Sequence, residues 1–294
     1  MEIQFISTGI PPLNISLKLI KLNRSKMSNR KLSSHRIFFY KIKFLCLVIL
    51  LNMNLQCTPP STPLIIGHRG AKGHVAENTL PSIARAIELG VDGIEIDIFL
   101  CKSGELVVFH DKKLDRLTNA QGYIESLEYD SIKRISVLGQ YKIPTLDEVL
   151  ELIDGKVFLN IELKGGGTAE PTHKILTPLL NQKKWTADQF IISSFDWEEL
   201  KHFYRLNQEV PIAVLTDDDP LDALPIAREV NAQAINPDFK SLNEKNVKKI
   251  QQAGYKVFPY TINDPKNIEK MLTLEVDGII TDYPERVKDA LPPN

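Results

Sequence analysis

From residue 64 onward the chain alternates short strand-like runs with amphipathic stretches, and one very short connection limits what that alternation can build. Strand-like runs stand at 64–67, 93–99, 106–109, 157–163, 190–193, 211–215, 233–236, 256–261 and 278–281. Between most of them, stretches such as 80–89, 146–153, 197–206, 244–253 and 265–274 carry apolar residues at three- and four-residue spacing, the period of a helix with one buried face. Asn78 and Asp264 stand where helix N-caps belong, and Gly90 and Gly254 where helices stop. Runs 93–99 and 106–109 are joined only by a turn around Lys102-Ser103-Gly104. Parallel neighbours need a crossover of a dozen or more residues, so these two form an antiparallel hairpin. Setting 106–109 aside leaves eight parallel strands.

Eight parallel strands with intervening helices, over roughly 230 residues, predict an α/β fold of the TIM (β/α)8 barrel type. An open doubly wound sheet is the other arrangement for such alternation. It wants a Gly-rich phosphate loop after the first strand, and Gly67-His68-Arg69-Gly70 does not have that form.

Barrels of this type collect functional groups at the carboxyl ends of their strands. Here those ends carry His68 and Arg69, then Glu95 and Asp97, then Glu162 and Lys164, with His110 and Asp111 returned by the hairpin. Farther along come Ser193, Thr216, Asn236, Tyr260 and Asp282. Strand alternation puts Glu95 and Asp97 on one face, opposed by Ile94, Ile96 and Ile98. It likewise puts Asn160, Glu162 and Lys164 opposite Leu159, Ile161 and Leu163. With the apolar faces packed on helices, the acids turn into the barrel mouth. One such segment alone would read as an ordinary sheet with a wet face; two at matching positions point to a site. Three converging carboxylates repel one another unless a cation is present, and hard oxygen donors suit Mg²⁺ or Ca²⁺ rather than zinc. His68 and His110 each end a strand beside charged groups, the placement general acid–base work requires. His74, His173 and His202 fall in loops or helices and read as surface residues.

Net charge separates the amino-terminal part from this body. Residues 1–56 hold nine Lys/Arg against one acid, a net of +8, whereas residues 57–294 hold 27 basic and 36 acidic side chains, a net of −9. A body of that sign excludes nucleic-acid binding through a general basic field. In the leader, Lys41 and Lys43 precede the apolar run 44–51, too short for a bilayer-spanning helix and patterned like an export signal. The run ends near Cys57, followed by the Pro-rich stretch 58–63. Expected, then, are a leader or membrane anchor at 1–56, a linker at 57–63 and one folded domain at 64–294. Cys57 stands where a lipoprotein carries its lipid, which would tether the domain to a membrane in the cell envelope. Cys101 is the one cysteine of residues 64–294, so no disulfide forms within the folded domain.

Seven runs occur in order along the body: Gly67-His-Arg-Gly70, Ala76-Glu-Asn-Thr79, Gly90-Val-Asp-Gly-Ile-Glu-Ile-Asp97, Val107-Val-Phe-His-Asp111, Ile143-Pro-Thr-Leu-Asp-Glu-Val-Leu150, Ile161-Glu-Leu-Lys164 and Val276-Asp-Gly-Ile-Ile-Thr-Asp-Tyr-Pro284. As a set they resemble the glycerophosphodiester phosphodiesterase family. The resemblance implies a TIM barrel with a small insertion after the second strand, here about 101–141. It implies hydrolysis of a glycerophosphodiester to glycerol 3-phosphate and an alcohol, in phospholipid breakdown. By matching motif, Glu95, Asp97 and Glu162 would hold one divalent cation, Mg²⁺ or Ca²⁺, and His68 and His110 would be acid and base. Arg69 and Lys164 would contact phosphate oxygens, with Glu77 orienting groups nearby. Tyr260 stands where the family commonly has a tryptophan, which leaves the shape of the alcohol-side pocket open. Two alternatives keep the fold, a lysophospholipase D and a tethered non-catalytic binding module. A barrel glycosidase using paired carboxylates would leave His68, His110 and Lys164 without a role.

Overall fold

A computed structural model describes residues 62–292; the expected leader and Cys57 lie outside the described residues. The strands are β1 (Leu64–His68), β2 (Gly93–Leu100), β3 (Leu106–Val108), β4 (Phe158–Leu163), β5 (Phe190–Ser194), β6 (Ile212–Thr216), β7 (Ala234–Pro237), β8 (Lys256–Val257) and β9 (Gly278–Thr281). They are ordered β8-β7-β6-β5-β4-β2-β1-β9, with every neighbouring pair parallel. β3 lies off this path and pairs antiparallel with β2, Ile98 opposite Val108 and Leu100 opposite Leu106. The hairpin forced by the short turn is therefore present, and eight parallel strands remain.

The ring closes between β8 and β9 through backbone bonds outside the regular ladder. Asp277 N donates to Val257 O at 3.1 Å, Ile280 N to Pro259 O at 3.0 Å, and Ile262 N to Ile280 O at 2.9 Å. The strand expected over 256–261 is regular only at Lys256–Val257. Pro259 has no N–H to give the ladder, so pairing to β7 continues through isolated bonds, Phe258 N to Ile235 O and Tyr260 N to Pro237 O.

Alternation sorts the side chains into two layers. Outward-facing Ile94, Ile96, Ile98, Leu159, Ile161 and Leu163 are all buried in the layer beneath the helices. Inward-facing Ile66, Ile191, Ala213, Ala234, Phe258 and Ile280 form a separate apolar plug. Two residues farther along the inward faces, Ile66 gives way to His68, Ile191 to Ser193, Ala234 to Asn236 and Phe258 to Tyr260. The plug thus floors a polar mouth. Residues between β2 and β4 pack with Phe99 of β2 into a small separate core in which Phe109, Leu114, Ile124, Ile132 and Ile143 are buried together. This is the expected insertion.

The helices are α1 (Leu80–Glu88), α2 (Tyr129–Ile132), α3 (Leu146–Ile153), α4 (Ala169–Asn181), α5 (Trp197–Leu206), α6 (Leu224–Glu229), α7 (Glu244–Gln252), α8 (Pro265–Thr273) and α9 (Pro284–Ala290). Asp264 caps α8, accepting from Lys266 N. Asn78 does not cap α1: Thr79 does, its side chain accepting from Ser82 N. In α4, Pro171 and Pro178 interrupt the apolar spacing that would have announced it. Among the described residues no helix is long and apolar enough to cross a membrane.

The turn leaving β1 is fixed by Gly70, whose φ is +85°. A Cβ there would lie 2.5 Å from Ser82 Oγ and 2.6–2.8 Å from the backbone of Ser82 and Ile83, which cannot yield as a flexible side chain could. Gly70→Ala should therefore cost about 2–3 kcal/mol, from strained φ and overpacking together. Urea unfolding should show the loss as a lower midpoint with unchanged slope; a midpoint at the wild-type value would mean that the turn relaxes freely.

Candidate active site

The segment after β1 holds two groups in strained conformations. Arg69 adopts a left-handed φ of +52° and Asn78 one of +57°, conformations that cost a non-glycine residue of order 1 kcal/mol or more. Each is held by an acid of β2. Arg69 N donates to Glu95 Oε2 at 2.9 Å. Asn78 Nδ2 donates to Asp97 Oδ2 at 2.8 Å, and Asn78 Oδ1 accepts from Asp97 N at 3.3 Å. The Arg69 guanidinium then donates through Nη1 to Glu77 Oε1 at 2.6 Å, while its Nε lies 3.2 Å from Asp97 Oδ2 without hydrogen-bond alignment.

Register across β2 and β4 sets Asp97 opposite Glu162. Glu95, Asp97 and Glu162 each present an oxygen within 4.8 Å of the others, and all three are buried. Burial and the facing charges of Asp97 and Glu162 hold the Glu95 carboxyl well above its ordinary range. Burial and Asp97 push Glu162 up to about 8, against the pull of Lys164, whose Nζ donates to Glu162 Oε1 at 2.9 Å. Burial also acts to raise Asp97, but Arg69 and Lys164 outweigh it and the group is depressed. Arg69 and Lys164 thus hold Asp97 ionised, while burial and mutual repulsion oppose ionisation of Glu95 and Glu162. Glu95 Oε1 and Asp97 Oδ1 are buried with no hydrogen-bond partner. Buried acceptors left unpaired cost about 1–3 kcal/mol each. An all-oxygen donor set with two orphaned carboxylate oxygens fits a hard divalent cation such as Mg²⁺ or Ca²⁺.

Both strand-end histidines have a carboxylate behind them. His68 Nδ1 lies 2.6 Å from Asp282 Oδ1, and His110 Nδ1 lies 2.6 Å from Asp111 Oδ1. Burial favours an uncharged Asp111, yet hydrogen bonds from Arg116 and His110 hold it at about 2. An ionised carboxylate only accepts, so each Nδ1 carries the proton and each Nε2 is bare. Burial lowers both imidazoles below their ordinary range, favouring the neutral form. His110 Nε2 lies 3.4 Å from Lys164 Nζ. Asp282 is itself fixed by Asn263, which donates from Nδ2 at 2.8 Å and accepts from Asp282 N at 2.9 Å.

His68, Arg69, Glu95, His110, Glu162 and Lys164 face one cavity of about 470 Å³, a size suited to a small molecule. Phe195, Leu215, Tyr260 and Ile280 add an apolar part to its lining. Tyr260 is anchored there by donating to Asp217 Oδ1 at 2.7 Å, and the Phe195 ring meets it edge-on. Of the residues expected from sequence, Asp97 and Glu77 do not line this cavity; Asp97 is bonded to Asn78 and Glu77 to Arg69. The supporting residues Asp111 and Asp282 stand at strand ends and, with Asn78, in the motif runs, but their hydrogen-bond partners are not encoded there. Arg116, in the insertion, carried no sequence signal.

A closed (β/α)8 barrel whose mouth joins a buried carboxylate trio, two cationic side chains and two carboxylate-backed imidazoles defines a TIM-barrel hydrolase. The model of the glycerophosphoryl diester phosphodiesterase family matches residues 68–286. The chain is 35% identical over 233 residues to the glycerophosphodiester phosphodiesterase of Caldanaerobacter subterraneus subsp. tengcongensis, covering 76% of this chain and 95% of that protein. It is 36% identical over 233 residues to the glycerophosphodiester phosphodiesterase of Bacillus altitudinis, again 76% of this chain and 95% of that one. Its fold is similar to an Oleispira antarctica phosphodiesterase solved in complex with the product sn-glycerol 3-phosphate: TM-score 0.71, 30% identity, covering 78% of this chain and 96% of the other. The chain belongs to the glycerophosphoryl diester phosphodiesterase family, a family of phosphoric diester hydrolases.

A cation entering the trio competes with protons for the carboxylates of Glu95 and Glu162. Both groups sit above their ordinary range, so affinity should climb as pH rises towards about 8 and fall as protons return below it. Calorimetric titration with Mg²⁺ or Ca²⁺ should show binding more than about tenfold tighter at pH 8 than at pH 6.5, with proton release at the lower pH. A pH-independent affinity would contradict this electrostatic assignment.

Proposed function

We propose that this protein hydrolyses glycerophosphodiesters to glycerol 3-phosphate and an alcohol, using one divalent cation, Mg²⁺ or Ca²⁺, held by Glu95, Asp97 and Glu162. The observation that carries the reading is the convergence on one cavity of two neutral imidazoles, each with a bare Nε2, around an acid trio flanked by Arg69 and Lys164. The names of the curated relatives and the product bound to the Oleispira antarctica enzyme support the substrate class.

When bound, the cation supplies Lewis-acid stabilisation of charge developing on the phosphate oxygens. Arg69 and Lys164 pair with the non-bridging oxygens and are held in place beforehand by Glu77 and Glu162, so little reorganisation is needed as charge accumulates. One of His68 and His110, neutral, takes the proton of the attacking hydroxyl at Nε2; the other, having first taken a proton from solvent at Nε2, enters the step as the imidazolium and gives that proton to the leaving oxygen. Asp282 and Asp111 keep each ring in the tautomer that exposes Nε2 and stabilise the imidazolium formed in passing. The wall of Phe195, Leu215 and Tyr260 takes the carbon framework and excludes water from that side.

The basic-then-apolar leader and Cys57 support a site of action in the cell envelope, tethered to the membrane and working on deacylated phospholipids. His68→Ala and His110→Ala should each lower kcat by about 10²-fold or more while cation affinity stays near wild type. Full turnover in either variant would remove that histidine from the mechanism. EDTA should silence the wild type and Mg²⁺ or Ca²⁺ restore it. In a substrate panel, glycerophosphocholine should be cleaved faster than lysophosphatidylcholine; the reverse order would make the protein a lysophospholipase D.

A further inference from the structure

We infer that Arg116, delivered by the insertion, is a positioning residue that sets the orientation of His110 through Asp111 and ties it to the phosphate-binding Arg69 through Glu77. The contacts form one chain of alternating charge. Arg116 Nε donates to Asp111 Oδ2 at 2.5 Å, while the other oxygen of Asp111 takes His110 Nδ1. From its far edge, Arg116 donates to Glu77 through Nη2 at 2.8 Å and Nη1 at 3.3 Å. Glu77 Oε1 also accepts from Arg69 Nη1. One planar guanidinium therefore spans two carboxylates, each of which holds a group facing the cavity.

The reason this matters lies in Asp111. Its side chain is 23% exposed and follows a three-residue edge strand, so His110 alone would leave the carboxylate free to rotate. Fixing Oδ2 from outside leaves only Oδ1 for the imidazole and stops the pair turning together. Arg116 can do this because the insertion places it rigidly. It ends the short 3-10 turn Leu114–Arg116, in which Leu114 is fully buried in the insertion core and bonds Gly122 O through its N–H. A lysine keeps the charge but is a single point donor and cannot span both carboxylates in fixed geometry. The small insertion thus supplies more than a rim to the cavity: its core sets the angle of a proton-transferring ring.

The inference rests on His110 transferring a proton, and the test separates the two ideas. Arg116→Lys, Arg116→Gln, Asp111→Asn and the double variant Arg116→Lys/Asp111→Asn are compared with the full chain at saturating Mg²⁺. With glycerophosphocholine, both Arg116 variants should lose kcat by about tenfold or more with KM within about threefold. The double variant should lose less than the product of the two single losses, because Arg116 acts partly through that carboxylate. Wild-type kcat in Arg116→Lys, or losses that multiply in the double variant, would overturn the inference. In parallel, nitrogen-15 NMR follows the His110 Nδ1 proton, assigned by its disappearance in His110→Asn. It should be a downfield, slowly exchanging signal in the wild type and should weaken in both Arg116 variants. An unchanged signal there overturns the inference whatever the substrate. A weakened signal in an enzyme that cleaves no glycerophosphodiester supports the positioning role and instead sinks the proposed activity.

Discussion

Mutual repulsion among Glu95, Asp97 and Glu162 is the constraint around which the rest of the mouth is arranged. The β2–β4 register brings Asp97 level with Glu162, and the period of the strand brings Glu95 into the same face two residues earlier. Nothing in the backbone can spread them apart without breaking the ladder. Their neighbours are accordingly those that reduce the cost: Arg69 and Lys164 beside the acids, Asn78 both donating to and accepting from Asp97, and the Arg69 N–H on Glu95. These contacts satisfy some oxygens and leave Glu95 Oε1 and Asp97 Oδ1 without partners. The remaining imbalance is what a divalent cation would remove.

The strain in the first turn sits at the same contacts. Arg69 and Asn78 are left-handed while bonded to the acids, and Gly70 turns the chain against Ser82 and Ile83 with no room for a Cβ. Below the polar layer, the plug of Ile66, Ile191, Phe258 and Ile280 closes the barrel interior. It lowers the local dielectric under the site and thereby strengthens every charge interaction above it. Fold and chemistry meet at one layer boundary, two residues wide along each strand.

Much of this was legible in the sequence, and the parts that were not share a physical cause. Glu95, Asp97 and Glu162 could be placed because strand alternation is a local rule, and the eight-strand count followed from one turn too short for a crossover. The length of β8 was overestimated because the apolar run 256–261 looks continuous, while Pro259 removes a donor from its middle. Asn78 reads as a helix cap because Asn commonly caps; its partner is Asp97, 19 residues away on β2, and Thr79 next to it does the capping. Asp282 and Arg116 act through contacts spanning 214 and 39 residues, which no local pattern encodes. Sequence periodicity reports which face a side chain takes, and it is silent about which distant loop completes that face.

The most direct measurement of the central claim is anomalous diffraction from crystals of the protein grown with Mn²⁺ as a stand-in for Mg²⁺. The account predicts a single strong peak in the barrel mouth bounded by Glu95, Asp97 and Glu162, lost in Glu162→Gln. A mouth without anomalous signal at saturating Mn²⁺, or a peak unchanged by that substitution, would contradict it.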